Sequence, residues 1–322
     1  MTMRKVKWLM LTICVGGLLW TVAYGAEIRN VTARQRFPWN GLVDITCKVS
    51  GTTNRFAFAV AAIVPDTGSI HKASRFWIVQ NGTNFAAHAT YGNGDYRLLW
   101  DAEADLGHVI YSNMVVRVTF DTHEMVQLWE DGPYWATTNI GAEEPHEYGY
   151  YFWWGDVVGY KRDGDTWVAT DGSSSNFSFW NTPPDGKTLA TLQSERWVGA
   201  SYELVSKHDA AQMQWGYGWR MPSTEEFGDL ERKCDWQWVS KNGVNGYMVR
   251  GRGAYTSSSI FLPCTGYGYM TSLYDAGSCG RYWSRRADGD NSSRAIGVSS
   301  SGISWISSRR SCGMTIRPVK GL

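Results

Sequence analysis

Gly218-Trp219-Arg220-Met221-Pro222-Ser223-Thr224-Glu225-Glu226 is the run whose reading fixes the layout of the larger half of the chain. Its last four residues form a capping box: the Ser223 hydroxyl accepts from the Glu226 backbone N–H, and the Glu226 carboxylate reaches back to the residue 223 N–H. Phe227, Leu230 and Cys234 then recur at helical spacing, which predicts a helix of about three turns. Upstream, residues 209–215 predict a shorter helix. Downstream the period changes to two. Trp236 and Trp238 alternate, Asn242-Gly243 and Asn245-Gly246 read as turns, and the chain returns at 247–249. Further strands are expected at 260–262, 282–284, 294–298, 303–306 and 314–319. Two helices followed by a strand meander make an α+β layout.

Moving toward the N-terminus, composition changes. Residues 26–122 contain three tryptophans (Trp39, Trp77 and Trp100), whereas thirteen lie between Trp129 and Trp305. That shift places a boundary near residue 123 and predicts domains at 26–123 and 124–322. In the first, Val43, Ile45, Cys47 and Val49 alternate onto one face, and Val116, Val118 and Phe120 repeat the pattern. Strands at 56–64 and 76–79 lie between turn-rich stretches such as Asn81-Gly82 and Asn93-Gly94-Asp95. With no helical period of useful length, this segment predicts an all-β sandwich of immunoglobulin-like type.

The 322 residues carry 31 basic and 30 acidic side chains, and a near-neutral chain is a poor partner for nucleic acid. The basic residues are not evenly spread. Arg4, Lys5 and Lys7 precede an apolar run that ends with small Ala23 and Gly25, the form of a secretory signal peptide over residues 1–25. Its removal leaves a mature chain near −2. No later stretch is long and apolar enough for a transmembrane helix, so the expected location is secreted, periplasmic or cell surface. Export also changes the meaning of the cysteines. Cys14 leaves with the leader, and Cys47, Cys234, Cys264, Cys279 and Cys312 remain, an odd number in a disulfide-permissive compartment. No pair has zinc-site spacing. Cys264 and Cys279 flank a Gly/Tyr-rich segment and are the first candidates for a disulfide, with the connectivity of the five left open.

Ordered motifs add a resemblance. Trp135-Ala136-Thr137-Thr138-Asn139-Ile140-Gly141-Ala142 and Pro145-His146-Glu147-Tyr148-Gly149-Tyr150-Tyr151-Phe152-Trp153-Trp154-Gly155 come first. The Gly218–Ser223 centre, Ile260-Phe261-Leu262-Pro263, Tyr282-Trp283-Ser284 and Ile316-Arg317-Pro318-Val319 follow in order. Over residues 126–319 this resembles the Fibrobacter-type major paralogous domain, a surface-associated bacterial family similar to the C-type-lectin-like and sulfatase-modifying-factor folds. The runs Arg34-Gln35-Arg36-Phe37-Pro38-Trp39-Asn40-Gly41-Leu42-Val43-Asp44 and Leu99-Trp100-Asp101-Ala102 resemble the small β-sandwich module that precedes such domains. The resemblance implies an exported two-domain protein whose lectin-like domain binds glycan or an envelope or extracellular protein. Many relatives carry Cys at the positions of Thr138, Trp215 and Pro318, so the family's disulfides do not carry over. Cys264, Cys279 and Cys312 point to a locally different bridge.

Within the lectin-like reading, residues 264–281 form an irregular excursion carrying Tyr267, Tyr269, Tyr274 and Arg281 among glycines. Exposed rings stack on sugar faces or anchor a protein partner at low entropy cost, and equally they can pack a loop onto its own domain. The basic runs Arg285-Arg286 and Arg309-Arg310, with Trp305, suit an acidic polysaccharide or anionic partner, or else a solvated strand face. The candidate ligand-binding residues are therefore Tyr267, Tyr269, Tyr274, Arg281, Trp305, Arg309 and Arg310.

No catalytic residue is expected. His123, His146 and His208 lack the context of known hydrolase motifs, and the adjacent pairs Glu143-Glu144 and Glu225-Glu226 do not converge on one bond. The enzymatic alternative is thiol oxidation of the formylglycine-generating kind, which needs an accessible metal-binding thiol pair; the Arg-Gly-Gly-Ser-Trp run of that family is absent. A purely structural surface protein is the other alternative. No cofactor is expected. Calcium, the ion of C-type lectins, would need oxygen ligands that Glu143-Glu144-Pro145-His146 and Trp180-Asn181-Thr182 do not supply in the required pattern. Asp163-Gly164-Asp165 and Asp288-Gly289-Asp290-Asn291 read as side-chain-stabilised turns.

Overall fold

The structure is a computed structural model that describes residues 26–321 except 39, 52–54, 65–68, 74, 81–82, 87–89, 108–113 and 217. The leader, Trp39 and the Asn81-Gly82 turn lie outside the described residues. The fold is rich in β-strands with few helices. By its contacts the chain forms two compact units, one running through Thr122 and including Gly216–Gly218, the other holding the rest from His123.

In the first unit, strand Leu42–Ser50 buries Val43, Ile45, Cys47 and Val49 and turns Thr46 and Lys48 outward. A strict period of two puts alternate residues on one face, so this strand is amphipathic by sequence alone. It lies in a five-stranded antiparallel sheet in the order Glu27–Gln35, Leu42–Ser50, Gly94–Asp101, Phe76–Gln80, Thr83–Ala86. A second sheet centres on Arg55–Val64, which pairs antiparallel with Ser69–Lys72, Val115–Asp121 and Thr90–Tyr91. Phe58, Val60, Ala62 and Val118 of the second sheet share one core with Ile45, Ile78, Leu98 and Trp100 of the first. Burial pushes the Cys47 thiol in this core up to about 12.

The second unit joins its early and late segments in one sheet: Tyr134–Ala136 pairs with Val319–Lys320, which also pairs with Trp219–Arg220. Cys234–Lys241, Val244–Gly251 and Ser259–Pro263 form a three-stranded antiparallel meander. A second meander comprises Cys279–Asp288, Ser292–Ser299 and Gly302–Arg309. Helix Thr224–Lys233 starts on the reciprocal Ser223/Glu226 capping box and buries Phe227 and Leu230. Helix Ala210–Trp215 follows Asp209, whose carboxylate accepts from the Gln212 N–H and, with both oxygens, from the Met221 N–H.

Three local expectations change. Cys234 opens a strand instead of closing the helix, its backbone already extended at φ −115° and ψ 163°. Asn242 and Gly243 both adopt positive φ and form the tight hairpin turn. Asn245-Gly246, however, lies inside a strand. A Cβ at Gly246 would stand 2.3 Å from the Leu262 carbonyl oxygen, so this glycine serves close strand approach, not turning. Finally, the stretch 264–281 is not irregular throughout: Tyr267–Tyr269 and Ser272–Tyr274 pair as a hairpin.

The resemblance-bearing residues converge on buried bonds. Arg317, fully buried, donates through Nε to Asn139 Oδ1 at 2.9 Å and through its terminal nitrogens to the Ala136 carbonyl at 3.3 Å and the Phe261 carbonyl at 2.9 Å. Asn139 donates in turn to the Tyr148 carbonyl. Trp283 Nε1 donates to the Phe152 carbonyl, Trp154 Nε1 to the Ser284 carbonyl and the Tyr282 hydroxyl to the Pro263 carbonyl. Arg220 grips both oxygens of the capping carboxylate Glu226. Most buried polar groups in a folded chain are partnered. Each motif thus supplies the partner another motif needs, and its residues hold the unit together.

Candidate functional site

The most conspicuous surface is built outward from two glycines. The Gly268 N–H donates to the Gly313 carbonyl and the Gly313 N–H to the Gly268 carbonyl, pinning the hairpin to the chain just past the last strand of the meander. The buried Phe179 ring fills the space where side chains of both would stand. A Cβ at Gly313 would lie 2.4 Å from that ring, and one at Gly268 2.6 Å from it. Phe179 also exchanges backbone bonds with Met270. With Phe179 buried, the next residue, Trp180, is set beside the hairpin and is 38% exposed.

A row of rings follows. Tyr267 stacks with Tyr274 at 5.6 Å between centroids, Tyr274 meets Tyr269 at 6.5 Å, and Tyr269 meets Trp180 edge-on at 5.7 Å. A guanidinium stands at each end: Arg281 lies 3.5 Å over the Tyr267 ring, and Arg309 lies 4.4 Å over Trp180. Tyr274 is 43% exposed, and Met270 at the hairpin tip is exposed as well. Tyr267, Tyr269, Tyr274, Arg281 and Arg309 therefore converge. Trp180 belongs with them. In the sequence it opens Trp180-Asn181-Thr182, a run that resembles an incomplete calcium element and carries no other sign of a place in this row.

Two candidates fall elsewhere. Arg310 is corrected outright: it is fully buried over Trp154 and donates to the carbonyls of Pro184, Lys187, Gly289 and Asp290 and to the Ser293 hydroxyl. Its alternation with Arg309 along the chain sends one side chain out and the next inward. Trp305 is exposed but bonds Glu231 of helix Thr224–Lys233 and, among the described residues, makes no ring contact with the tyrosines.

Among the described residues the five cysteines Cys47, Cys234, Cys264, Cys279 and Cys312 are free thiols. No disulfide joins Cys264 and Cys279 in this structure; the ends of the 264–279 stretch are held by backbone bonds. The Gly277 N–H donates to the Cys264 carbonyl at 2.7 Å and the Gly266 N–H to the Cys279 carbonyl at 2.6 Å. Burial pushes the Cys264 thiol up to about 12 and the Cys234 thiol up to about 11, which suppresses thiolate chemistry at neutral pH. Burial likewise raises Cys312.

Among the described residues, no cluster of three or more His, Cys, Asp or Glu side chains is placed to hold a metal ion. The Asp288–Asn291 oxygens are engaged: Asp290 accepts from the Leu189 N–H and Asn291 from the Gly186 N–H. His208 stacks on Trp197 at 3.9 Å, and burial pushes it down to about 4. Asp156 accepts from the Val158 and Gly159 N–H groups, and burial raises it to about 6. Neither adjoins the aromatic row.

No protein-family model, curated protein or solved structure matches the chain.

Proposed function

We propose that the chain is an exported, non-catalytic binding or adhesion protein of the cell surface or periplasm. In this reading an immunoglobulin-like β-sandwich precedes a C-type-lectin-like domain of the major paralogous kind, and the Tyr267–Tyr274 hairpin face of that domain meets a glycan or protein ligand. The observation that carries it is the continuous row of partly exposed rings flanked by two guanidinium groups. Pre-positioned aromatic rings give a large contact area at little ordering cost, and guanidinium groups add directional donors. The leader predicted at residues 1–25 accounts for export. The buried, raised Cys264 and Cys234 thiols favour this reading over thiol oxidation, which needs a reactive pair.

The test is retention of the purified full chain on a glycan array and on envelope extract, with and without chelator. Tyr274→Ala and Trp180→Ala are expected to lower retention at least tenfold while changing unfolding stability by less than about 0.5 kcal/mol, the usual scale for exposed positions. Retention on no ligand, or equal retention by both variants, would overturn the proposal. Titration of the native protein with a thiol reagent separates the enzymatic alternative, which requires two rapidly reacting thiols.

A further inference from the structure

Arg281 and Arg309 hold unspent hydrogen-bonding capacity. Each guanidinium offers five N–H donors, yet neither side chain makes a hydrogen bond among the described residues. Their contacts are the ring faces of Tyr267 and Trp180 and one long ion pair each, 3.9 Å to Asp275 and 3.5 Å to Asp185. The Nε atoms of both are buried without a partner. Arg310, one residue from Arg309, shows the alternative, with its donors spent on carbonyl oxygens.

Other unpartnered polar atoms lie on the same ground. Ser311, fully buried, has no hydrogen-bond partner for its hydroxyl, and neither does the buried hydroxyl of Thr182; Asp185 Oδ2 accepts no hydrogen bond and has only the long ion pair to Arg309. These residues adjoin Arg309 directly: the Ser311 N–H donates to Asp185 Oδ1 at 3.1 Å, and the Asp185 N–H donates to the Thr182 carbonyl at 2.9 Å. Arg281 reaches the area through Tyr267, next to the Gly268–Gly313 contact.

We propose that this face takes an acidic oligosaccharide: hexuronate units whose pyranose faces lie on Trp180 and Tyr274 and whose carboxylates are taken by Arg309 and Arg281. The assignment rests on the binding reading above and narrows it to a ligand class. A carboxylate accepts two guanidinium N–H bonds at about 2.7–2.9 Å, shorter than either existing ion pair, and so competes with Asp185 and the exposed Asp275. Two cations at opposite ends of one aromatic row suit a ligand with repeated charge over one with a single acid group.

Titration calorimetry of the full chain with an oligogalacturonate, a neutral cello-oligosaccharide of equal length and monomeric galacturonate tests this. The acidic oligomer is expected to bind at least tenfold more tightly than either other probe, with affinity falling as salt rises. Arg281→Gln and Arg309→Gln should each weaken the acidic oligomer at least fivefold and leave the neutral one unchanged. Asp275→Asn, at an exposed position with φ +58° that Asn tolerates, should strengthen the acidic oligomer by freeing Arg281. Equal affinity for acidic and neutral oligomers, unchanged in the arginine variants, overturns the assignment and leaves the binding reading standing. Binding of none of the saccharides, with retention of an envelope protein, overturns it while keeping a protein ligand. Binding of nothing removes both.

Discussion

The network around Arg317 and the row around Tyr274 are made of the same residue types, Arg, Trp and Tyr, in opposite states. In the network every donor of Trp154, Trp283 and Tyr282 meets a carbonyl, and Arg317 spans three acceptors from distant segments. In the row the arginines touch ring faces and keep their N–H groups unspent. The difference separates what a motif holds from what it offers. Arg317, Trp154, Trp283 and Tyr282 are satisfied by other parts of the unit, so they specify a scaffold, while the groups able to recognise a ligand sit on the Tyr267–Tyr274 hairpin and beside it, at Trp180, Arg281 and Arg309.

The largest break in that comparison is expected from Arg317→Met. It strands Asn139 Oδ1 and the Ala136 and Phe261 carbonyls in a buried site. Each buried neutral acceptor left without a donor costs about 1–3 kcal/mol, offset in part because a lone charge is no longer buried. The unfolding free energy from urea denaturation should fall accordingly, and a fall of under about 1 kcal/mol would show that the network is not saturated as described. Burial holds the Arg317 guanidinium down to about 10, still far above neutral pH, so its charge persists across the usable range.

The neighbours Arg309 and Arg310 sharpen the comparison at smaller scale. Arg310→Gln leaves four backbone carbonyls competing for one amide and should cost about 2 kcal/mol, since each buried acceptor left unmade carries its desolvation penalty. Arg309→Gln removes a long, partly exposed ion pair and a ring contact and should cost under about 1 kcal/mol. Chemical denaturation of the two variants decides it. Equal losses would mean that Arg309 belongs to the scaffold.

Periodicity made much of this legible. The alternation of Val43 through Val49, the capping box at Ser223 and the hairpin turn at Asn242-Gly243 are local rules, and local rules survive in the folded chain. Gly246 was misread as a turn because its need arises from the Leu262 backbone across the sheet, a contact invisible along the chain. Arg310 was misread for a similar reason: side-chain direction decides whether an arginine is donor to solvent or to the interior, and that depends on the Pro184–Asp290 carbonyls brought from elsewhere. The place of Trp180 in the row is not legible along the chain because it depends on Phe179 seating over two remote glycines.

In the wild-type protein the smallest expected effect is the net pH dependence of stability, because two buried groups of the scaffold oppose each other. His208, pushed down to about 4 by burial, takes a proton less readily folded than unfolded, where it titrates near 6.5. Its contribution to stability is present above 6.5 and is lost as pH falls toward 4. Asp156, raised to about 6, keeps its proton more readily folded than unfolded, where it titrates near 3.8. Its contribution is present below 3.8 and is lost as pH rises through 6. Between pH 4 and 6 the two slopes have opposite signs and partly cancel. His208→Phe retains a ring to stack on Trp197 and removes one term, so stability relative to wild type should decline more steeply as pH rises from 4 to 6. Asp156→Asn keeps a carbonyl oxygen for the Val158 or Gly159 N–H and should tilt the profile the other way, with stability declining more steeply as pH falls from 6.5 to 4. Melting temperatures across that range measure both tilts. Because neither group adjoins the aromatic row, binding by the two variants at neutral pH should match wild type, and a change in both properties together would tie the scaffold to the ligand face.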